Sequence, residues 1–198
     1  MSATVLFMSM SVDGFITGPN VRPDNGLGDG GDRLHDWALT GTDDPLASLR
    51  SGGVNGQVID EFMSTGAVVA GRRTFEPAGG WGGDHHDGVP IFIVARDEPG
   101  IDITQWPLVT YVPDVTMAMS EAERAAGVKN VLVHGSGIAR LALAAGVLDE
   151  LELHVIPVLL GQGIRLFDDR DANHIELERT RILEGEYGVT HMHYRIKR

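Results

Sequence analysis

The chain has 198 residues, 42% of them hydrophobic, with a formal net charge of −12 and no cysteine. That length builds one sizeable core, so a single domain over residues 1–198 is expected. The missing cysteines exclude disulfides, thiolate zinc sites and a cysteine nucleophile. The acidity argues against a nucleic-acid partner, which needs concentrated Lys and Arg. Before Asp13 there is only a strand-length apolar run with no basic flank, which gives no secretion signal or membrane span; a cytoplasmic protein is expected. Lys129 and Lys197 are the only lysines, so the cationic groups are almost all Arg, which suits bidentate contact with phosphate or carboxylate.

Thr4 to Ser11 reads as a buried strand that ends at Asp13-Gly14. From Gly18 to Gly53 the chain is dense in Gly, Asp, Pro and Asn, long enough to mark a functional loop or lid holding a short helix. Gln57 to Thr65 has helical spacing closed by Gly66, and Ala67 to Gly71 is a second buried strand. Arg72-Arg73-Thr74-Phe75-Glu76 opens a helix with Pro77 behind it, and Gly79 to Gly88 is a second Gly-rich loop. Pro90 to Ala95 and Leu108 to Val112 are further strands, and Val115 to Ala126 is a helix stopped by Gly127. Asn130 to His134 forms a strand and Gly137 to Ala145 a helix. Alternating strands and helices predict a mainly parallel sheet. Leu151 to Pro157, Ile175 to Glu184 and Val189 to Lys197 then read as strands, finishing in an antiparallel hairpin around Glu184 to Gly188.

The most informative stretch is Val131-Leu132-Val133-His134-Gly135-Ser136-Gly137-Ile138. An apolar strand meets two glycines and then a helical pattern, which either delivers an anionic dinucleotide to a helix N-terminus or merely makes a tight turn. A Rossmann fingerprint would need a third glycine where Arg140 stands, and it would follow the first strand. No Gly-x-Ser-x-Gly elbow is present. His85-His86-Asp87 and His191-x-His193 invite a metal reading, but adjacent histidines rarely chelate one ion, so surface and strand-face histidines with no bound metal are expected.

Four segments in order resemble the dihydrofolate reductase-like superfamily: Ser11-Val12-Asp13-Gly14-Phe15-Ile16, Gly71-Arg72-Arg73-Thr74-Phe75-Glu76, His134-Gly135-Ser136-Gly137, and Pro157-Val158-Leu159-Leu160-Gly161-Gln162-Gly163-Ile164-Arg165-Leu166-Phe167. The Asp-Gly and the Pro-x-Leu-Leu-Gly-x-Gly segment are more similar to the reductase domain of bacterial riboflavin biosynthesis than to folate reductases. The resemblance implies a three-layer α/β fold and NADPH-dependent hydride transfer to a nitrogen heterocycle or ribosylaminopyrimidine. A homodimer is expected because members often form one. The zinc deaminase residues that accompany this domain in bifunctional enzymes are absent from the sequence, so the chain reads as a stand-alone reductase-like domain.

By resemblance, Gly71, Arg72, Arg73 and Thr74 match the segment that holds the adenosine-side phosphates, and Arg96 falls where the 2′-phosphate is met. Gly135, Ser136, Gly137 and Ile138 match the turn beneath the pyrophosphate. Ser9, Ile16 and Gly18 match the segment along the nicotinamide, with Gly18 to Asp32 as a lid. Thr74 and Ser136 serve equally as helix caps, and Ser9 and Ile16 as core. The acid of folate reductases would fall near Asn55, whereas the acids present are Asp60 and Glu61; Asp60 is placed among the substrate contacts. Asp13, at a strand's C-terminal end beside a glycine, is the candidate catalytic carboxylate, with a pKa that burial beside the nicotinamide would raise; the alternative is an ordinary Asp-Gly turn. Trp37 and Trp81, in Gly-rich loops, are candidates to stack on a planar substrate. A catalytically silent dimeric binding protein on the same fold is the other reading.

Overall fold

The computed structural model describes residues 2–22, 24–39, 52–167 and 174–198. Its central sheet contains β1 (Thr4–Ser11), β3 (Ala67–Gly71), β4 (Ile91–Val94), β5 (Val109–Val112), β6 (Val131–His134), β7 (Glu150–Ile156), β9 (Leu177–Glu184) and β10 (Thr190–Ile196). Two short strands, β2 (Phe15–Thr17) and β8 (Ile164–Arg165), pair separately as an antiparallel ribbon. The helices are α1 (Gly53–Met63), α2 (Arg72–Phe75), α3 (Val115–Ala126) and α4 (Ser136–Ala145). Strand order is β5-β4-β3-β6-β1-β7-β10-β9, parallel from β5 to β7 and antiparallel over β10 and β9. The expected mostly parallel sheet with an antiparallel C-terminal hairpin is therefore present.

Strand alternation divides the sheet's side chains between two layers. On one face Leu6, Val69, Val133 and Leu153 pack against Met119 of α3 and Ile138 of α4. On the other, Val68, Ala70, Ile91 and Leu132 pack against Phe62 of α1 and Phe75 of α2. Winding outward through β4 to β5, the chain returns to insert β6 beside β1, then crosses to β7 on the far side of β1. The loops after β1, β3 and β6 consequently meet at one sheet edge, the usual place for a ligand in open α/β sheets.

Two helices show how the ends are set. Asp114 caps α3, its carboxylate accepting from Thr116 N at 2.9 Å and Met117 N at 3.0 Å, and Gly127 closes the helix at φ +63°. The α1 helix begins at Gly53, a turn before the expected Gln57, although Gly53, Asn55 and Gly56 are weak helix formers. Its cap comes from across the fold: the Glu186 carboxylate, in the turn between β9 and β10, accepts from Val54 N at 3.0 Å and Asn55 N at 2.9 Å. Those amides hold the Glu186 pKa below the usual carboxylate value. Glu186→Ala is expected to lower the melting temperature by a few degrees and to reduce helical circular dichroism; an unchanged melt would mean that water replaces the cap at no cost.

Within Gly18 to Asp32, expected as a lid, the described residues form a closely bonded turn. Gly18 N donates to Leu27 O at 2.8 Å and Asp29 N to Pro19 O at 2.8 Å. Asn20 and Asn25 donate to the Asp29 carboxylate at 2.7 and 2.8 Å. A Cβ on Gly18 would collide with the Asp29 carbonyl, so the close approach requires glycine. Of the short helix expected within Gly18 to Gly53, a 3-10 turn is found over Gly31–Leu34, and residues 40–51 lie outside the described residues.

Candidate functional site

The two glycine-bearing motifs, with Gly71 and Gly135 64 residues apart in the chain, touch at the sheet edge, because β3 and β6 are parallel neighbours with Ala70 opposite His134. Gly135 has φ +93° and ψ 145°, a region essentially restricted to glycine, and a Cβ there would strike Thr74 Oγ1. A Cβ on Gly71 would lie 3.2 Å from Ile138 Cγ1. Gly71 and Thr74 thus abut Gly135 and Ile138 as a continuous surface. Ile138 itself is buried at 3% exposure and joins the core.

The α4 helix has no side-chain cap, so the N–H groups of its first turn, from Ser136 to Ile138, have no intrahelical partner. Gly137 is exposed, with open space where a Cβ would stand. Free N–H groups and the positive end of the helix dipole fit a pyrophosphate there. The arginines divide. Arg72 pairs with Glu76 at 3.0 Å, and Glu76 also accepts from Gly100 N at 2.7 Å and Tyr111 Oη at 3.1 Å. Arg73 and Arg96 are exposed and form no ion pair among the described residues. These two remain free to meet a phosphate, whereas Arg72 is engaged in holding α2 to the loop after β4.

Asp13 is engaged by the segment after β7. One carboxylate oxygen accepts from Leu160 N at 3.1 Å, the other from Gly161 N at 2.8 Å, and its backbone carbonyl accepts from Arg165 at 2.8 Å. The Ser11 hydroxyl and these amides hold its pKa below the ordinary carboxylate value. Asp13 therefore stays ionised at neutral pH and ties the loop after β1 to the Leu-Leu-Gly segment after β7.

Ser9, Ile16 and Trp37 are buried rather than lining an open cleft, at 7%, 7% and 2% exposure. The Trp37 indole N–H donates to Ser9 Oγ at 2.9 Å, and its ring lies 4.5 Å from that of His154. Trp81 sits with φ +50° and packs edge-on against Phe75 at 5.2 Å and His85 at 4.5 Å. Asp60 occupies the outer, exposed side of α1, where it lines a shallow depression of about 570 Å³ with Gly56, Gln57 and Ser64. It is not gathered with Gly135 or Thr74.

The sequence reading missed a row of histidines beneath the sheet. His134, His154, His191 and His193 project from one face, and His35, His85 and His86 approach from the loops that cover it. His86 is 0% exposed, correcting the expectation of a surface-loop histidine; His191 lies on a strand face as expected but is 1% exposed, and His154, for which nothing was expected, is 0% exposed. The alternation Leu151-Glu152-Leu153-His154 carried the signal, since it puts His154 on the face opposite the leucines. Burial pushes His134 and His191 down to about 4, and His85 and His154 well below their ordinary value. Beside them Arg181 bridges Glu61 and the buried Glu152, whose carboxyl burial raises to about 7. No group of three or more potential ligands with metal-binding geometry occurs among the described residues.

Comparison with known proteins finds relatives of this fold. The chain aligns over 99% of its length with 99% of a Shewanella sp. PV-4 protein assigned to riboflavin biosynthesis, at 19% identity and a TM-score of 0.72. A pyrimidine reductase-like protein of Corynebacterium diphtheriae matches at 14% identity and a TM-score of 0.57, covering 100% of this chain and 92% of that one. Acinetobacter baumannii RibD matches at 14% identity and a TM-score of 0.62, with all of this chain spanning 58% of the longer protein. No curated protein matches the sequence significantly. The family profile described as the RibD C-terminal domain covers residues 86–190, more than half of the chain. That stretch runs from His86 through the Gly135 turn and the Asp13-binding Leu-Leu-Gly segment to β10, and the protein belongs to the RibD C-terminal domain family.

Proposed function

We propose that the protein is an NADPH-dependent reductase acting on a small nitrogen heterocycle or ribosylaminopyrimidine, of the 5-amino-6-(5-phosphoribosylamino)uracil reductase type. The observation that carries this reading is the contact between Thr74 and Gly135 beside the uncapped first turn of α4, a cradle shaped for a dinucleotide phosphate. Bound NADPH would supply a hydride. Ser136, Gly137 and Ile138 would offer backbone N–H groups to the pyrophosphate, while Arg73 and Arg96 would neutralise adenosine-side charge and favour NADPH over NADH. Ionised Asp13 would hold the loop after β1 in place rather than give up a proton.

The test is titration with NADPH and NADH, followed by nicotinamide fluorescence. NADPH is expected to bind more tightly, and Arg73→Ala with Arg96→Ala to weaken it by roughly 10-fold or more, since a charged hydrogen bond contributes about 1.5–3 kcal/mol. Binding of neither nucleotide would sink the proposal. The engagement of Asp13 by Leu160 and Gly161 favours a second reading, a small-molecule-binding protein without turnover; NADPH binding with no oxidation in the presence of pyrimidine substrates would select it. A homodimer through β9 accompanies the proposal, because β9 is the last strand of the sheet and Leu177 and Ile182 on it are exposed. No helix among the described residues is long and apolar enough to cross a membrane.

A further inference from the structure

The hydrogen bonds around Asn55 determine the protonation of two buried histidines. Asn55 Nδ2 donates to the Trp37 carbonyl at 3.0 Å and the Glu186 carbonyl at 3.3 Å, so its amide cannot be reversed. Asn55 Oδ1 must then accept from His191 Nε2, 3.0 Å away. Burial keeps both rings neutral, leaving His191 Nδ1 as an acceptor. The proton shared across the 2.8 Å contact between His191 Nδ1 and His154 Nδ1 therefore belongs to His154. By elimination His154 Nε2 carries a bare lone pair, and it is a buried polar atom with no partner on a residue that is 0% exposed.

An unpaired buried acceptor is destabilising, so this atom calls for a donor. Because Nδ1 faces β10, Nε2 is directed to the other side of the ring, toward β1. There Ser9 is the register partner of His154, with its side chain on the same face. Ser9 Oγ accepts from Trp37 and makes no other hydrogen bond among the described residues, which leaves its own proton to give. A donor on Ser9 and an acceptor on His154, side by side on adjacent strands, match the acceptor and donor of a lactam edge, the C=O next to N–H of an oxidised pyrimidine. Phe7, 4.1 Å from the His154 ring, supplies an aromatic face beside that edge.

We propose that Ser9 and His154 read the lactam edge of a pyrimidine ring, and that the Trp37 indole, a planar N–H group already bonded to Ser9, occupies this subsite until the ring displaces it. This rests on the reductase reading above and adds to it the residues that select the heterocycle. It also moves Ser9 from the expected nicotinamide border to the substrate.

Calorimetric titration with uracil tests the pair, with 1,3-dimethyluracil, which has no N–H, as the control. Uracil is expected to bind the wild-type protein and to lose about 10-fold in affinity with Ser9→Ala and with His154→Phe, whereas dimethyluracil gives no binding. Ser9→Ala removes only a hydroxyl and decides the matter if His154→Phe fails to fold by thermal melt. Absence of uracil binding, equal affinities in wild type and Ser9→Ala, or equal binding of the two pyrimidines would each overturn the assignment. NADPH titration of the same proteins separates the two ideas: intact NADPH binding without uracil selectivity removes the lactam subsite alone, and loss of NADPH binding by the wild type removes the reductase reading.

Discussion

Acidification from pH 7.5 to pH 4.5 is expected to lower the melting temperature on the order of 10 °C. A histidine at about 4 in the folded chain, against an ordinary 6.5, binds its proton more tightly once unfolded, as His134 and His191 do. Its stabilising contribution is complete above pH 6.5, drains as pH falls, and is exhausted near pH 4. Each of these two rings accounts for at most about 3 kcal/mol, from roughly 1.4 kcal/mol per unit of displacement. His35, His85, His86, His154 and His193 are displaced the same way by burial and add to the slope. Glu152 opposes them. Its carboxyl, raised to about 7, gives a contribution held in full below pH 4.5 and lost as pH rises through 7. One carboxyl against several imidazoles leaves a net loss in acid, and a melting temperature flat from pH 7 to pH 5 would show that the rings are solvated in solution.

Gly135→Ala is expected to be the most damaging single substitution at the sheet edge. The backbone there lies in a region that costs a side-chain-bearing residue about 1–3 kcal/mol, and the new methyl would also be driven into Thr74. Relief requires either α2 or the start of α4 to move, which separates the surfaces proposed to hold the cofactor. A drop of several degrees in melting temperature with at least a 10-fold loss of NADPH affinity is the expected result. Combining it with Thr74→Ser distinguishes the two causes. The pair should recover little, because the serine hydroxyl still meets the new Cβ; recovery with Thr74→Gly instead would assign the damage to collision rather than backbone strain.

The architecture was legible because its signals are local. Apolar runs such as Ala67 to Ala70 and Val131 to Val133 can only be buried strands, and Asp114 and Gly127 punctuate α3 in sequence. What escaped depends on partners distant in the chain. The first turn of α1 was invisible because its cap is Glu186, and the ribbon of β2 with β8 because two- and three-residue strands carry no periodicity. At the site, glycines and Thr74 were readable as a motif, since backbone conformation constrains residue type. The use of Asp13 by Leu160 and Gly161 and the burial of Trp37 were not, because each is decided by what another segment brings. Histidine is especially opaque in this respect: the same residue type serves in water or in a core, and only the strand partner of His154 shows which.

The borrowed cap of α1 orders events during synthesis. The amides of Val54 and Asn55 wait for a carboxylate that leaves the ribosome more than 100 residues later. The central strand β1 likewise stays without neighbours until β6 and β7 have been made. The emerging N-terminal half thus exposes an unpaired strand until β6 and β7 arrive and an unfinished helix until the turn between β9 and β10 supplies Glu186, so this chain needs nearly its whole length outside the exit tunnel before the native state becomes the cheapest arrangement open to it.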